Sequence, residues 1–146
     1  MPHTATAGAD DRALAQALRE RGHRVTSQRL VIGRLLREAD RHVTADEVLR
    51  RAGEQLPGVS LPTVYATLDL LADLGLARRV SVGGPVLYDP RSEEHAHRRC
   101  RVCGDVVDLD VTVDAARAVA AAGADGFRAE SAEVVVEGVC ARCAAR

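Results

Sequence analysis

The stretch from Ser60 to Arg79 reads SLPTVYATLDLLADLGLARR. Its periodicity predicts a helix opening at Ser60 and stopping at Gly75. Ser60 has a side-chain oxygen suited to an N-cap, and Pro62 is tolerated in the first turn because the early backbone donors have no intrahelical partners. Leu61, Val64, Leu68 and Leu71 recur at helical spacing and form one apolar face; Thr63, Ala66 and Thr67 are expected to turn away from it, with Tyr65 on its flank. Small side chains, hydroxyls and a tyrosine opposite an apolar back suit a helix that enters a nucleic-acid groove.

Working outward, residues 1–10 are expected to be a disordered tail. Asp11 to Arg21 carries Leu14, Ala17 and Leu18 at helical spacing and predicts a short first helix ending at Gly22. Thr26 is positioned to cap a second helix containing Leu30, Val31, Leu35 and Leu36. Thr44-Ala-Asp-Glu47 is a capping-box sequence opening a third through Arg51, before Gly53 and Pro57-Gly58. On the C-terminal side, Leu76–Val82 and Val86–Asp89 read as strands around Gly83-Gly84-Pro85. Helices followed by a hairpin give the element order of a winged helix, placed at 11–90. Residues 91–146 hold an expected strand at Val106–Val111, an Ala-rich helix at Asp114–Ala122, and strands near Phe127–Glu130 and Glu133–Val139. The class is therefore α+β, a helical winged domain followed by a smaller α+β domain, without internal repeats.

The 146 residues, 47% of them hydrophobic, suffice for one domain or two small ones. No apolar run reaches membrane-spanning length, and MPHTATAGADD is unlike a signal peptide, so a cytoplasmic protein without membrane contact is expected. The net charge of −1 carries no global signature of nucleic-acid binding. Up to Arg79 there are twelve Arg and ten acids; beyond it the balance is eight against eleven. That distribution permits a DNA-binding front half. All twenty basic residues are Arg.

All four cysteines lie in two pairs, Cys100-Arg-Val-Cys103 and Cys140-Ala-Arg-Cys143, separated by thirty-six residues. Two intervening residues let both sulfurs of a pair reach one metal at about 2.3 Å, and four thiolates complete a tetrahedral structural zinc site. In a reducing compartment this outranks a disulfide framework. A thioredoxin-like redox pair needs only one such motif and a βαβ setting that the sequence does not suggest.

The segments GHRVTSQRLVIGRLL, HVTADEV, LPTVYATLDLLADLGLARR and HAHRRCRVCGDVVDLD together resemble the ferric-uptake-regulator superfamily of bacterial metal-dependent repressors, from about Asp11 to Cys143. The resemblance implies a homodimer joined through the C-terminal domain, whose winged helices bind double-stranded DNA at a palindromic AT-rich operator. The helix from Ser60 would enter the major groove. Tyr65 matches the family's base-contacting tyrosine, whose ring edge can meet thymine methyl groups. Ser60, Thr63, Ala66 and Thr67 accompany it, although the family commonly places arginine or asparagine at the position of Ala66. Backbone contacts would fall to Arg24 and Arg29, or to Arg78 and Arg79.

The resemblance also implies a second, regulatory metal site: His42 in RHVTADE, Asp89 ending the wing, the pair His95 and His97, and Asp108 in DVVDLD. Three imidazoles and two carboxylates suit Fe(II) or Mn(II) better than a sulfur-seeking zinc sensor. Asp at both carboxylate positions, with five residues between Asp89 and His95, resembles the peroxide-sensing branch, in which iron-catalysed oxidation of a ligand histidine releases the repressor. His42 and His95 are the candidates for that oxidation. A lone histidine is ordinarily a surface residue, as expected of His3 and His23; the weight here comes from the set. Glu93 and Glu94 suggest a weaker third site, and Arg98 and Arg99 could offset the charge of a thiolate cluster. The rival within regulation is a reversible iron, manganese or nickel uptake repressor. A zinc-ribbon redox protein or enzyme would need a nucleophile and base that the sequence does not show.

Overall fold

The computed structural model describes residues 4–93, 95–111, 114–130 and 132–146, with residues 4–7 as backbone only. The described residues fall into two compact units that divide between Ser92 and Glu93.

The first unit contains α1 (Thr4–Glu20), α2 (Ser27–Ala39), β1 (Val43–Thr44), α3 (Ala45–Ala52), α4 (Leu61–Asp73), β2 (Arg78–Val80) and β3 (Leu87–Asp89). Its three capped helices start where their side chains satisfy the first backbone donors. The Thr26 hydroxyl accepts from the Arg29 amide, Ser60 accepts from Thr63, and Thr44 and Glu47 complete a reciprocal capping box. Helix α1 begins at Thr4, inside the stretch expected to be a tail, because TATAGAD is compatible with helix and Asp11 ties the element to α2 through Arg34 and Arg37. Leu14, Leu18, Ile32, Leu36, Val48, Val64, Leu68, Leu71 and Tyr88 share one buried core. Gly33 sits at the closest approach of α1 and α2; a Cβ there would stand 2.5 Å from Leu14 Cδ2.

The wing is a three-stranded antiparallel sheet ordered β1-β3-β2, with Val43 opposite Tyr88 and Arg78 opposite Asp89. Its hairpin strands are shorter than expected, and the two-residue β1 is too short to leave a periodic signal in the sequence.

The second unit comprises β4 (Ala96–Cys100), β5 (Val106–Leu109), α5 (Ala115–Ala122), β6 (Val135–Gly138) and the one-turn α6 (Ala141–Ala144). Strand β4 is central: it pairs antiparallel with β5 and parallel with β6. The expected strand near Phe127–Glu130 does not form. Both hydrogen-bonding edges of β4 are already filled, and Phe127 is exposed. Among the described residues no helix is long and apolar enough to cross a membrane.

Candidate metal centres and nucleic-acid interface

Strand β4 ends at Cys100, and the following turn carries Cys103. Cys140 precedes α6, and Cys143 lies within it. All four sulfurs lie within 4.8 Å of one another, and no disulfide joins them. The 3.9 Å separation of the Cys103 and Cys140 sulfurs matches the roughly 3.8 Å tetrahedron edge implied by zinc–sulfur bonds of about 2.3 Å. Gly104 takes a left-handed φ of 76° and donates its amide to the Cys100 carbonyl at 2.8 Å, a turn that a Cβ would strain.

The backbone amides of Cys103 and Cys140 draw the Cys100 thiol down to about 6, and the Asp105 amide lowers Cys103. Cys143 is pushed up to about 12, first by Cys140 and then by the other crowded thiols. A divalent cation relieves that crowding by taking all four sulfurs as thiolates. A cation beside the cluster is Arg142, which donates to Cys103 Sγ at 3.8 Å. Arg99, one of the two cations that could offset the cluster, pairs with Glu137 at 2.9 Å, across the β4–β6 ladder that sets Arg99 opposite Glu137. Arg142 lies inside the second cysteine motif, where spacing alone gives it no role.

In the first unit the β1–β3 register brings His42, just before Val43, level with Asp89, just after Tyr88. Their side chains meet with Nε2 3.2 Å from Oδ2, both buried. Asp89 Oδ1 accepts the Arg91 amide at 2.9 Å, which orients the carboxylate.

In the second unit His97 is opposite Asp108, and His95, two residues away, shares its face of the strand. Asp108 Oδ1 lies 3.1 Å from His95 Nε2 and 3.6 Å from His97 Nε2. The two rings are 4.5 Å apart between centroids. The Glu93 carbonyl lies 2.7 Å from His95 Nδ1 and can only accept, so Nδ1 carries the proton. In the neutral ring, Nε2 then directs a lone pair at a carboxylate, which is repulsive unless a cation lies between them. Donors bonded at about 2.1 Å to one ion stand about 3 to 3.4 Å apart, close to the separations found. The three donors therefore fit a hard or borderline divalent metal. Of the suggested third site, Glu93 contributes a carbonyl to His95, and Glu94 lies outside the described residues.

Ser60, the N-cap of α4, and Ala66 are exposed, and Thr63 and Tyr65 are half-buried. Thr67 is not available to DNA: it is 4% exposed, because its position, three residues after Val64 and four before Leu71, shares their buried face. Arg24 is exposed, and its carbonyl accepts from Arg29 at 2.6 Å. Arg79 is engaged with Asp69 and Asp73 at 2.8 and 2.7 Å.

The model of the ferric uptake regulator family matches residues 20–137. The chain belongs to that family. As a ferric uptake regulator family member it is a metal-dependent, DNA-binding transcriptional repressor and not an enzyme. It is 39% identical over 120 residues to ferric uptake regulation protein 1 of Mycolicibacterium fortuitum, covering 81% of this chain and 74% of that protein. The peroxide-responsive repressor PerR of Staphylococcus epidermidis is 33% identical over 94 residues, 64% of this chain and 63% of the relative. Among solved structures, the ferric uptake regulator of Pseudomonas aeruginosa with manganese is 27% identical, with a TM-score of 0.68 and coverage of 88% of this chain and 98% of that one.

Proposed function

We propose that this family member is a homodimeric, peroxide-sensing repressor whose switch is one ion held jointly by His42, Asp89, His95, His97 and Asp108, while the tetracysteine site holds a structural zinc. The observation carrying the peroxide reading is the choice of Asp at both carboxylate positions, Asp89 and Asp108. The buried His42–Asp89 pair and the His95–His97–Asp108 cluster each present nitrogen and oxygen donors suited to Fe(II) or Mn(II).

His42 and Asp89 belong to the DNA-binding unit and the other three donors to the sheet unit. One ion taken by both groups favours the arrangement that fits two half-sites of a palindromic AT-rich operator, and loss of a donor releases it. Ser60, Thr63, Tyr65 and Ala66 would face the operator, with Arg24 and Arg29 at its phosphates.

Bound Fe(II) would supply the redox chemistry with hydrogen peroxide. His42 and His95, two of the five residues that would hold the ion, would be the imidazoles exposed to that chemistry. One ring C–H would become C–OH: the peroxide O–O bond would break, one oxygen would enter the C–H bond and the other would leave as water, so that the imidazole is oxidised by two electrons and peroxide is reduced by two. Peptide mass spectrometry after peroxide treatment tests this reading. A gain of one oxygen on His42 or His95 with iron but not with manganese is expected, and unmodified histidines with retained DNA binding would overturn it.

Unmodified histidines with retained DNA binding would favour the second reading, a reversible iron, manganese or nickel uptake repressor. It is favoured by the ferric uptake regulation protein matching more of this chain than the peroxide-responsive relative does.

A further inference from the structure

Tyr88 and Asp89 are consecutive on β3, so their side chains leave opposite faces of the strand. Asp89 meets His42, whereas the Tyr88 hydroxyl donates to Asp69 Oδ1 on α4 at 2.8 Å. The Tyr88 ring also meets the edge of Tyr65, with centroids 6.5 Å apart and planes at 60°. Tyr65 and Asp69 are four residues apart on α4, hence one turn apart on the same side. A single strand residue, 1% exposed, therefore holds the recognition helix at two points. Arg79, on β2, reinforces the tie by bonding Asp69 and Asp73 and by donating to the Asp69 carbonyl at 3.2 Å.

We propose that Tyr88 is a positioning residue that couples the engagement of Asp89 to the placement of α4 on DNA, with Asp69 as its receiving group. This rests on Asp89 being a ligand of the regulatory ion. Adjacent Cα atoms are held about 3.8 Å apart by the peptide bond, so a displacement at Asp89 is passed to the backbone of Tyr88. The buried ring cannot absorb it by swinging into solvent. Its hydroxyl and ring edge transmit the displacement to Asp69 and Tyr65. A phenylalanine would fill nearly the same volume and supply the hydrophobic contact, so the hydroxyl is the atom specific to coupling.

The test uses full-length, zinc-loaded protein, Mn(II) as the metal, and a duplex selected by the protein from a random pool. DNA affinity is measured with and without Mn(II) for the wild type, Tyr88→Phe, Asp69→Leu and the double variant, and Mn(II) affinity is measured without DNA. Each single substitution is expected to reduce the metal-induced gain in DNA affinity by roughly tenfold, within the usual range of coupling between sites. The double variant is expected to lose no more than either single, while metal-free DNA affinity and Mn(II) affinity stay at wild-type values. Asp69 is half-exposed, so its variant carries the test if Tyr88→Phe folds poorly. Wild-type activation in both variants, or equal loss of DNA affinity with and without Mn(II), would overturn the proposal. His42→Ala runs alongside: its loss of activation isolates a failure of the relay from a failure of the site reading, whereas retained activation would overturn both.

Discussion

The Nε2 atom of His95 lies 3.1 Å from Asp108 Oδ1 while its Nδ1 donates to the carbonyl of Glu93. That backbone bond fixes the tautomer and aims the other nitrogen at the carboxylate before any ion arrives, the arrangement in which an outer hydrogen bond orients a metal-binding imidazole. Asp108→Ala is expected to lower Mn(II) affinity by at least about tenfold, the scale on which even outer-shell partners of metal ligands count. Zinc content should stay at the wild-type level. Elemental analysis combined with titration calorimetry reads both quantities.

The cysteine cluster should behave differently. Cys140→Ser removes one sulfur from the cluster and leaves in place the backbone amide that donates to Cys100 Sγ at 3.3 Å. The expected result is loss of zinc and of cooperative unfolding in residues 93–146, because binding energy at such a site is folding energy. Hydrogen exchange should show protection retained in α2, α3 and α4.

The Thr44–Glu47 capping box gives the first unit an acid-labile element. The Arg41 guanidinium, and then the Thr44 amide, hold the Glu47 carboxyl below its usual range. A carboxylate whose folded value is depressed adds stability that is complete above its unfolded value of about 4.3 and is lost as pH falls through the folded one. Melting temperature should therefore fall in that acid window, and Glu47→Gln should flatten the dependence. Thr44→Ala is expected to cost about 1 kcal/mol at neutral pH.

Gly33 gives a packing prediction. A methyl group at this position would stand 2.5 Å from Leu14 Cδ2 and force the leucine to move. Gly33→Ala should therefore destabilise the first unit by about 1–3 kcal/mol in urea titration. DNA affinity of the folded fraction should be unchanged.

Much of the first unit is legible in the sequence because its signals are local. Thr26, Thr44 and Ser60 each cap the helix that follows them, and helical spacing places Leu68 and Leu71 in the core. Thr67 departs from expectation because its hydroxyl suggests a polar front, whereas the helical period carries it to the buried face. Strand β4 is hidden inside a ligand motif: HAHRRC has few apolar residues, and it is a strand because β5 and β6 pair with both its edges. The metal-binding residue types can be read from spacing and resemblance, but the Glu93 carbonyl on His95 and Arg142 on Cys103 depend on tertiary placement.

The most direct test of the switch is fluorescence anisotropy of a selected palindromic duplex titrated with zinc-loaded dimer, with and without Mn(II), for the wild type and His42→Ala. Mn(II) is expected to tighten wild-type binding by at least roughly tenfold, within the usual span of allosteric coupling, and to leave His42→Ala unchanged although it keeps its zinc and its dimer. Equal activation of the two proteins would contradict the account.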